Sequence, residues 1–285
     1  LYDRFKQLID EDLPEAGITL DEYISDMADS TLLYLSIMNA DVTKYDSSSN
    51  QIINNLLKRL DKLGYTQERI YLMGVIHHLS SATEAIRAIR LIENFLTRQR
   101  FTSAITGSEI NELYSELCSE AFRKSDPVGY IRSRLSDRAP SDEEFIAAIS
   151  SNQFSRSERT LYLLERLESQ HYRSGGEVTI SGQIEHISPR QAYTATKYNT
   201  WPEYLGIGQE KFNEIKDKLG NLTILETRLN IRASDNPFRQ KKDRYKESDF
   251  KMAQSVAEYD EWSAEDIESR TTELARVSAN IWSFD

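Results

Sequence analysis

Over its first ~170 residues the chain repeats apolar positions at three- and four-residue steps, separated by short polar turns. That spacing predicts amphipathic helices. Leu20–Ala40 carries Tyr23, Ile24, Met27, Leu32, Leu33, Leu35 and Ile37 in a mixed apolar pattern. Ile52–Leu63 places Ile53, Leu56, Leu57 and Leu60 on one stripe, and Thr66–Leu79 follows. Ala82–Arg100 steps through Ile86, Ile89, position 92 or 93, and Leu96. Ser108 opens a further helix running to about Arg123. Ser141 with Glu144, Ser155 with Glu158, and Ser263 with Asp266 fit start signals in which a hydroxyl and a carboxylate satisfy free backbone N–H groups. The final helix would present Ile267, Leu274 and Ile281 on its apolar face.

The pattern changes near residue 171. His171–Gln183 contains Gly175, Gly176 and Gly182 and reads as a linker entering a strand. Helical periodicity does not return cleanly until Pro237, and Leu219–Leu225 reads as a second strand. Asp235 or Asn236 would cap a helix whose first residue is Pro237. These readings predict a mainly α chain: a helical domain over residues 1–173, then an α+β domain over 174–285 built as strand, strand, helix.

Composition narrows the class. The 285 residues are 39% hydrophobic and 28% charged, with 11 Gly and 6 Pro, which suits a globular core and excludes collagen-like or low-complexity chains. The lone Cys118 rules out a disulfide framework or a multi-cysteine zinc site and fits a reducing, cytoplasmic setting. No apolar run approaches the ~18 residues of a membrane span, so no membrane partner is expected. The opening LYDRFKQLIDEDL lacks a signal-peptide pattern and an initiator Met, and a longer protein is expected.

The formal net charge is −11, which opposes general nucleic-acid binding. Residues 1–50 hold eleven acids against three bases, and residues 252–285 eight against two. Residues 228–251 reverse the balance, with eight bases against four acids, and include Arg228, Arg232, Arg239, Lys241, Lys242 and Arg244. Such an island is either a phosphate-facing surface or a solvated helix face.

Candidate chemistry centres on one of four histidines. His77 and His78 are adjacent on a helix and face different ways, and His171 lies in the linker. His186 sits in Gln183-Ile184-Glu185-His186-Ile187-Ser188-Pro189. On an ideal strand Glu185 and His186 point to opposite sides, so they serve one site only if the strand ends there, as Pro189 permits. Asn221 lies in the second strand and Asn230 follows it; taken alone, both asparagines suit turn chemistry. Trp201, Trp262 and Trp282 read as core, and Gly206-Ile207-Gly208 is too short for a nucleotide loop.

In order and spacing these pieces resemble the HNH-type carboxy-terminal domain of GmrSD-type restriction endonucleases and the related phosphorothioate-sensing anti-phage nucleases. The matching elements are His186-x-x-Pro189, Trp201, Gly220-Asn221-Leu222-Thr223, Leu229-Asn230, and Asn236-Pro237-Phe238 through Lys241. Tyr245, Ser248, Trp262, Ile267, Arg270, Leu274 and Trp282 continue the series. The resemblance covers about residues 180–285, and Ile92-Glu93-Asn94-Phe95-Leu96-Thr97-Arg98 fits, loosely, the helical segment preceding this nuclease in the family. It implies a ββα-metal fold and phosphodiester hydrolysis.

That chemistry assigns roles. A neutral imidazole accepts a proton from water, so His186 is the expected base. A hard cation prefers oxygen donors, so Glu185 and Asn230 are the expected ligands of Mg²⁺ or Mn²⁺. By resemblance, Asn221 is a scaffold residue orienting the His186 loop. Lys241 stands where many HNH enzymes have His or Asn; it is expected to contact phosphate beside Lys242, Arg239 and Arg232. Two departures stand out: Glu185 occupies a position often held by Asp, and a charged Lys241 cannot ligate a cation. The expected function is a metal-dependent DNA endonuclease module of a modification-linked restriction or anti-phage protein. Its amino-terminal NTPase or sensor domain would lie outside this chain. The alternatives are a helical regulatory or binding module with an inactive nuclease fold, and an RNase.

Overall fold

The computed structural model describes residues 2–172, 180–194 and 200–284. The first part is helical throughout: α1 Tyr2–Gln7, α2 Leu13–Ala16, α3 Leu20–Met38, α4 Ser47–Leu63, α5 Glu68–His78, α6 Ala82–Thr102, α7 Gly107–Glu120, α8 Pro127–Arg138, α9 Asp142–Ser151 and α10 Glu158–Ser169. Strand β1, Gln183–His186, follows, then α11 Trp201–Leu205, α12 Gln209–Ile215 and β2 Leu222–Leu225. The chain closes with α13 Thr227–Ala233, α14 Phe238–Lys246, α15 Lys251–Val256 and α16 Ala264–Ile281.

Local chemistry explains most of these boundaries. Ser141 accepts from Glu144 N–H while the Glu144 carboxylate reaches back, and Ser263 with Asp266 does the same at α16. The other start signals move. α10 is capped by Ser157, which accepts from Thr160 N–H, rather than by Ser155 with Glu158. Neither Asp235 nor Asn236 caps α14: Pro237 occupies the cap position, and Asn236 instead donates to the Arg232 carbonyl. Leu219–Asn221 forms a 3₁₀ turn, and only Leu222–Leu225 is strand.

Two expectations fail more broadly. Among its described residues the stretch between Pro189 and Pro237 contains three short α-helices, α11, α12 and α13. Their single or double turns are too brief to show a period, so the sequence reads as loop. The apolar positions of α3 also pack less than their number suggests: Ile37 is buried, but Ile24, Met27, Leu32 and Leu35 are largely exposed. Residues 173–179 of the expected linker, and with them the expected boundary, lie outside the described residues.

β1 and β2 pair antiparallel, with Glu185 opposite Thr223 and His186 opposite Leu222. The larger apolar cluster joins Leu56, Ile92, Phe145 and Leu163 to Leu222, Ile224, Met252 and Trp282, so it crosses residue 173. Helix α16 packs on α9 and on the turn before β2, and α10 packs on both strands. A smaller cluster joins Ile187, Trp201, Phe212, Phe238 and Trp262 beneath the β1 end. All three tryptophans are fully buried. Each buried indole removes about 150–250 Å² from water, a gross stabilisation of about 4–6 kcal/mol.

Candidate active site

The strand ends at His186, and a turn follows. The Ile187 N–H donates to the Asn221 carbonyl at 2.9 Å, and the Ala192 N–H to the Pro189 carbonyl at 2.9 Å. Asn221 clamps this turn. Its Oδ1 accepts from Ser188 N–H (2.9 Å), Ser188 Oγ (2.9 Å) and Trp262 Nε1 (3.2 Å), while its Nδ2 donates to the carbonyls of Ser188 (2.9 Å) and Lys216 (2.8 Å). The turn carrying Asn221 is itself docked on α16. Arg270 donates to the Gly220 and Leu222 carbonyls, each at 2.7 Å, and Gly220 N–H donates to Thr271 Oγ1 at 2.9 Å. A Cβ at Gly220 would lie 2.0 Å from the Ile267 carbonyl oxygen, so only glycine allows this approach.

Because the strand stops, Glu185 and His186 reach one cleft of about 510 Å³ although they leave the strand on opposite sides. Asn230, Lys241, Arg156 and Arg190 also line it. His186 Nε2 lies 3.0 Å from Asp217 Oδ1, and Arg190 donates to Asp217 Oδ2 at 2.9 Å. A carboxylate only accepts, so Nε2 carries the proton and Nδ1 keeps its lone pair. Among the described residues His186 Nδ1 has no hydrogen-bond partner. Burial pulls the imidazole down to about 4, against the opposing pull of Asp217, so the ring is neutral at pH 7.

Glu185 is buried on the other side. Its Oε1 accepts from Lys241 Nζ at 2.7 Å and from Tyr245 Oη at 3.0 Å. Burial pushes this carboxyl up, and Lys241 and Tyr245 partly reverse the push. Lys241 Nζ also donates to the His186 carbonyl at 2.8 Å. The lysine therefore ties α14 to the end of β1. It is fully buried, so it does not stand on the surface with Arg239 and Lys242 as the sequence suggested. Its burial follows from helical spacing: Phe238, Lys241 and Tyr245 share the inner face of α14.

Part of the remaining basic island is also engaged within the protein. Arg232 and Arg244 both pair with Glu247, and Lys242 donates to the Tyr259 carbonyl. Arg239 is exposed on α14. Asn230 sits on α13 at the cleft, its Nδ2 at 3.4 Å from Gln183 Oε1 and from the Ile184 carbonyl. Asp217 was missed because it stands in Lys216-Asp217-Lys218, where its neighbours suggest a solvated turn. Arg156 and Arg190 were missed for the same reason: nothing in their local pattern separates them from surface arginines.

Among the described residues no three His, Cys, Asp or Glu side chains cluster as a metal cage. Oxygen donors lining the cleft include the Glu185 carboxylate and the Asn230 amide, with the side chains of Gln191, Ser234 and Asp235 also on its wall. This fits Mg²⁺ or Mn²⁺, which retain waters and need only one or two protein carboxylates, and does not fit structural zinc. His77 and His78 are exposed at the end of α5, away from this cleft.

No curated protein matches the chain. Residues 139–277 match the family described as GmrSD restriction endonucleases, C-terminal domain. The matched segment begins before α9 and so reaches well upstream of the residue 180 expected from sequence, taking in both α9 and α10, which pack against the strands and α16. Over residues 139–277 the chain is thus similar to the C-terminal domain of GmrSD restriction endonucleases.

Proposed function

We propose that the chain is a metal-dependent DNA endonuclease module of a modification-linked restriction or anti-phage defence protein, built as an HNH-like ββα-metal site on β1, β2 and the basic helix α14, with Asn230 supplied by the intervening α13. The observation that carries this reading is the meeting of Glu185, His186 and Asn230 at one polar cleft, with His186 held through Nε2 by Asp217.

His186 Nδ1 takes the proton from the attacking water, and Asp217 fixes the ring and stabilises the imidazolium that results. Asn221 holds the backbone turn that sets the ring's position. Lys241 and Tyr245 hold the Glu185 carboxylate. A Mg²⁺ or Mn²⁺ ion held by Glu185 and Asn230 would supply charge neutralisation at the phosphate and at the departing 3′ oxygen. The helical region, residues 1–173, serves as connector and brake between the nuclease, residues 174–285, and an amino-terminal NTPase or sensor domain, in a cytoplasmic protein.

Plasmid nicking tests this reading. Supercoiled DNA should be cut with Mg²⁺ or Mn²⁺ and left intact in EDTA. Undiminished cutting in EDTA, or stoichiometric zinc in the purified protein, would overturn the metal assignment. Absence of cutting with every divalent ion would favour an inactive nuclease fold.

A further inference from the structure

Among the described residues three cations line the cleft, and their partners differ. Lys241 is buried against Glu185, leaving no charge to offer a ligand. Arg190 pairs with Asp217, but its side chain is 49% exposed, so one end of the guanidinium remains at the surface. Arg156, on the turn before α10, is exposed and lines the same cleft. It has no ion pair or hydrogen bond among the described residues. Both arginines lie close enough to His186 for their charges to act on it.

The basic island offers a poorer ligand surface, because Arg232, Lys242 and Arg244 are already engaged. We infer that Arg156, from the turn before α10, and Arg190, from the turn after β1, form the clamp that seats the phosphodiester backbone over Glu185 and His186. Two guanidiniums suit this task, since each presents a planar fork of donors to phosphate oxygens. Among the described residues Arg156 makes no direct ion pair, and the carboxylate its charge reaches, Glu185, is already paired with Lys241. Arg190 arrives pre-oriented by Asp217, the residue that also orients the imidazole, so phosphate and base share one anchor. The inference rests on the nuclease reading but concerns binding, which can be measured without cleavage.

The test is duplex DNA affinity by fluorescence anisotropy, in a His186→Ala background with EDTA, at two or more salt concentrations. Arg156→Ala should weaken binding about three- to tenfold, and the pair with Arg190→Lys further. For every phosphate that a variant no longer neutralises, the slope of log affinity against log salt should flatten by about 0.9. Arg156 is exposed and unpaired among the described residues, so its substitution leaves the fold intact; thermal melting of each variant checks this. Arg239→Ala with Lys246→Ala, on the exposed face of α14, should have a smaller effect. The clamp is refuted if Arg156→Ala leaves affinity and salt slope unchanged, or if the α14 variant binds more weakly still. Either result would leave the nuclease reading intact, because nicking by the wild-type chain is scored separately.

Discussion

Replacing Asn221 by alanine would strip partners from Ser188, Trp262 and the Lys216 carbonyl at once, all in a buried turn. Leaving such groups unsatisfied costs about 1–3 kcal/mol each, partly relieved by relaxation, so urea unfolding of Asn221→Ala should show a loss of about 2–4 kcal/mol. Asn230 is half-buried and makes only long hydrogen bonds, so Asn230→Ala should barely change stability. Instead it should raise the Mg²⁺ concentration needed for half-maximal nicking, and by more than Asn221→Ala does. The reverse ranking would exchange the two roles. Lys241→Ala would leave Glu185 buried without its cation, a loss of about 3–5 kcal/mol. A calorimetric scan showing Lys241→Ala as stable as wild type would contradict that placement. At this scale the sequence was legible where a motif names a residue, as at His186, Asn221 and Gly220. It was silent on Asp217, Arg156 and Arg190, whose roles come from tertiary approach. It misread Lys241, whose charge hid its place on the inner face of α14.

Helix α6 shows what an element contributes beyond its own period. Its Glu93 is buried and receives Arg59 at 2.8 and 3.0 Å and Tyr162 Oη at 3.0 Å. Burial raises this carboxyl, but Arg59, Arg166 and Tyr162 outweigh it and hold the group at about 2. One turn on, Arg98 donates to the carbonyls of Trp282 (2.8 Å), Pro140 (2.9 Å) and Ala279 (3.2 Å), and Asn94 to the Ser283 carbonyl (2.6 Å). Within the loose Glu93-Asn94-x-x-Thr97-Arg98 pattern, Asn94 and Arg98 thus receive the end of α16, while Glu93 and Thr97 meet Tyr162. Because the folded carboxyl titrates below the ordinary 4.5, its stabilisation is complete above that value and is lost as pH falls toward 2. Melting temperatures of Glu93→Gln and wild type should differ clearly at pH 7 and converge as pH drops through this window. A constant gap would show that the Glu93 charge is not what α6 contributes. Long helices such as α4 and α6 were readable from their stripes; α11, α12 and α13 were not, because so few turns give no period.

The chain carries −11, and its basic island is partly engaged, Arg232 and Arg244 by Glu247 and Lys241 by Glu185. DNA must therefore approach against an unfavourable field, with few phosphate contacts and a strong dependence on salt. Phosphate contacts carry no base or modification information. The isolated chain should cut slowly and treat modified and unmodified duplexes alike. Binding curves for both duplexes at two salt concentrations check this, and strong discrimination would place recognition in this chain rather than in a sensor domain. A change of pattern near 171 was legible, and among the described residues the strands lie after it, whereas the core that spans it was not legible. That core depends on α9, α10 and α16 meeting around Trp282, where segments more than a hundred residues apart come together.

The hydrolysis proposed for this cleft depends on His186 acting as the base that activates water. The decisive comparison is the Mg²⁺-dependent nicking rate of His186→Ala beside wild type, with thermal melting of both. The rate should fall about 10²- to 10⁴-fold while the protein stays folded. Cleavage at the wild-type rate by a folded His186→Ala protein would show that another group activates the water.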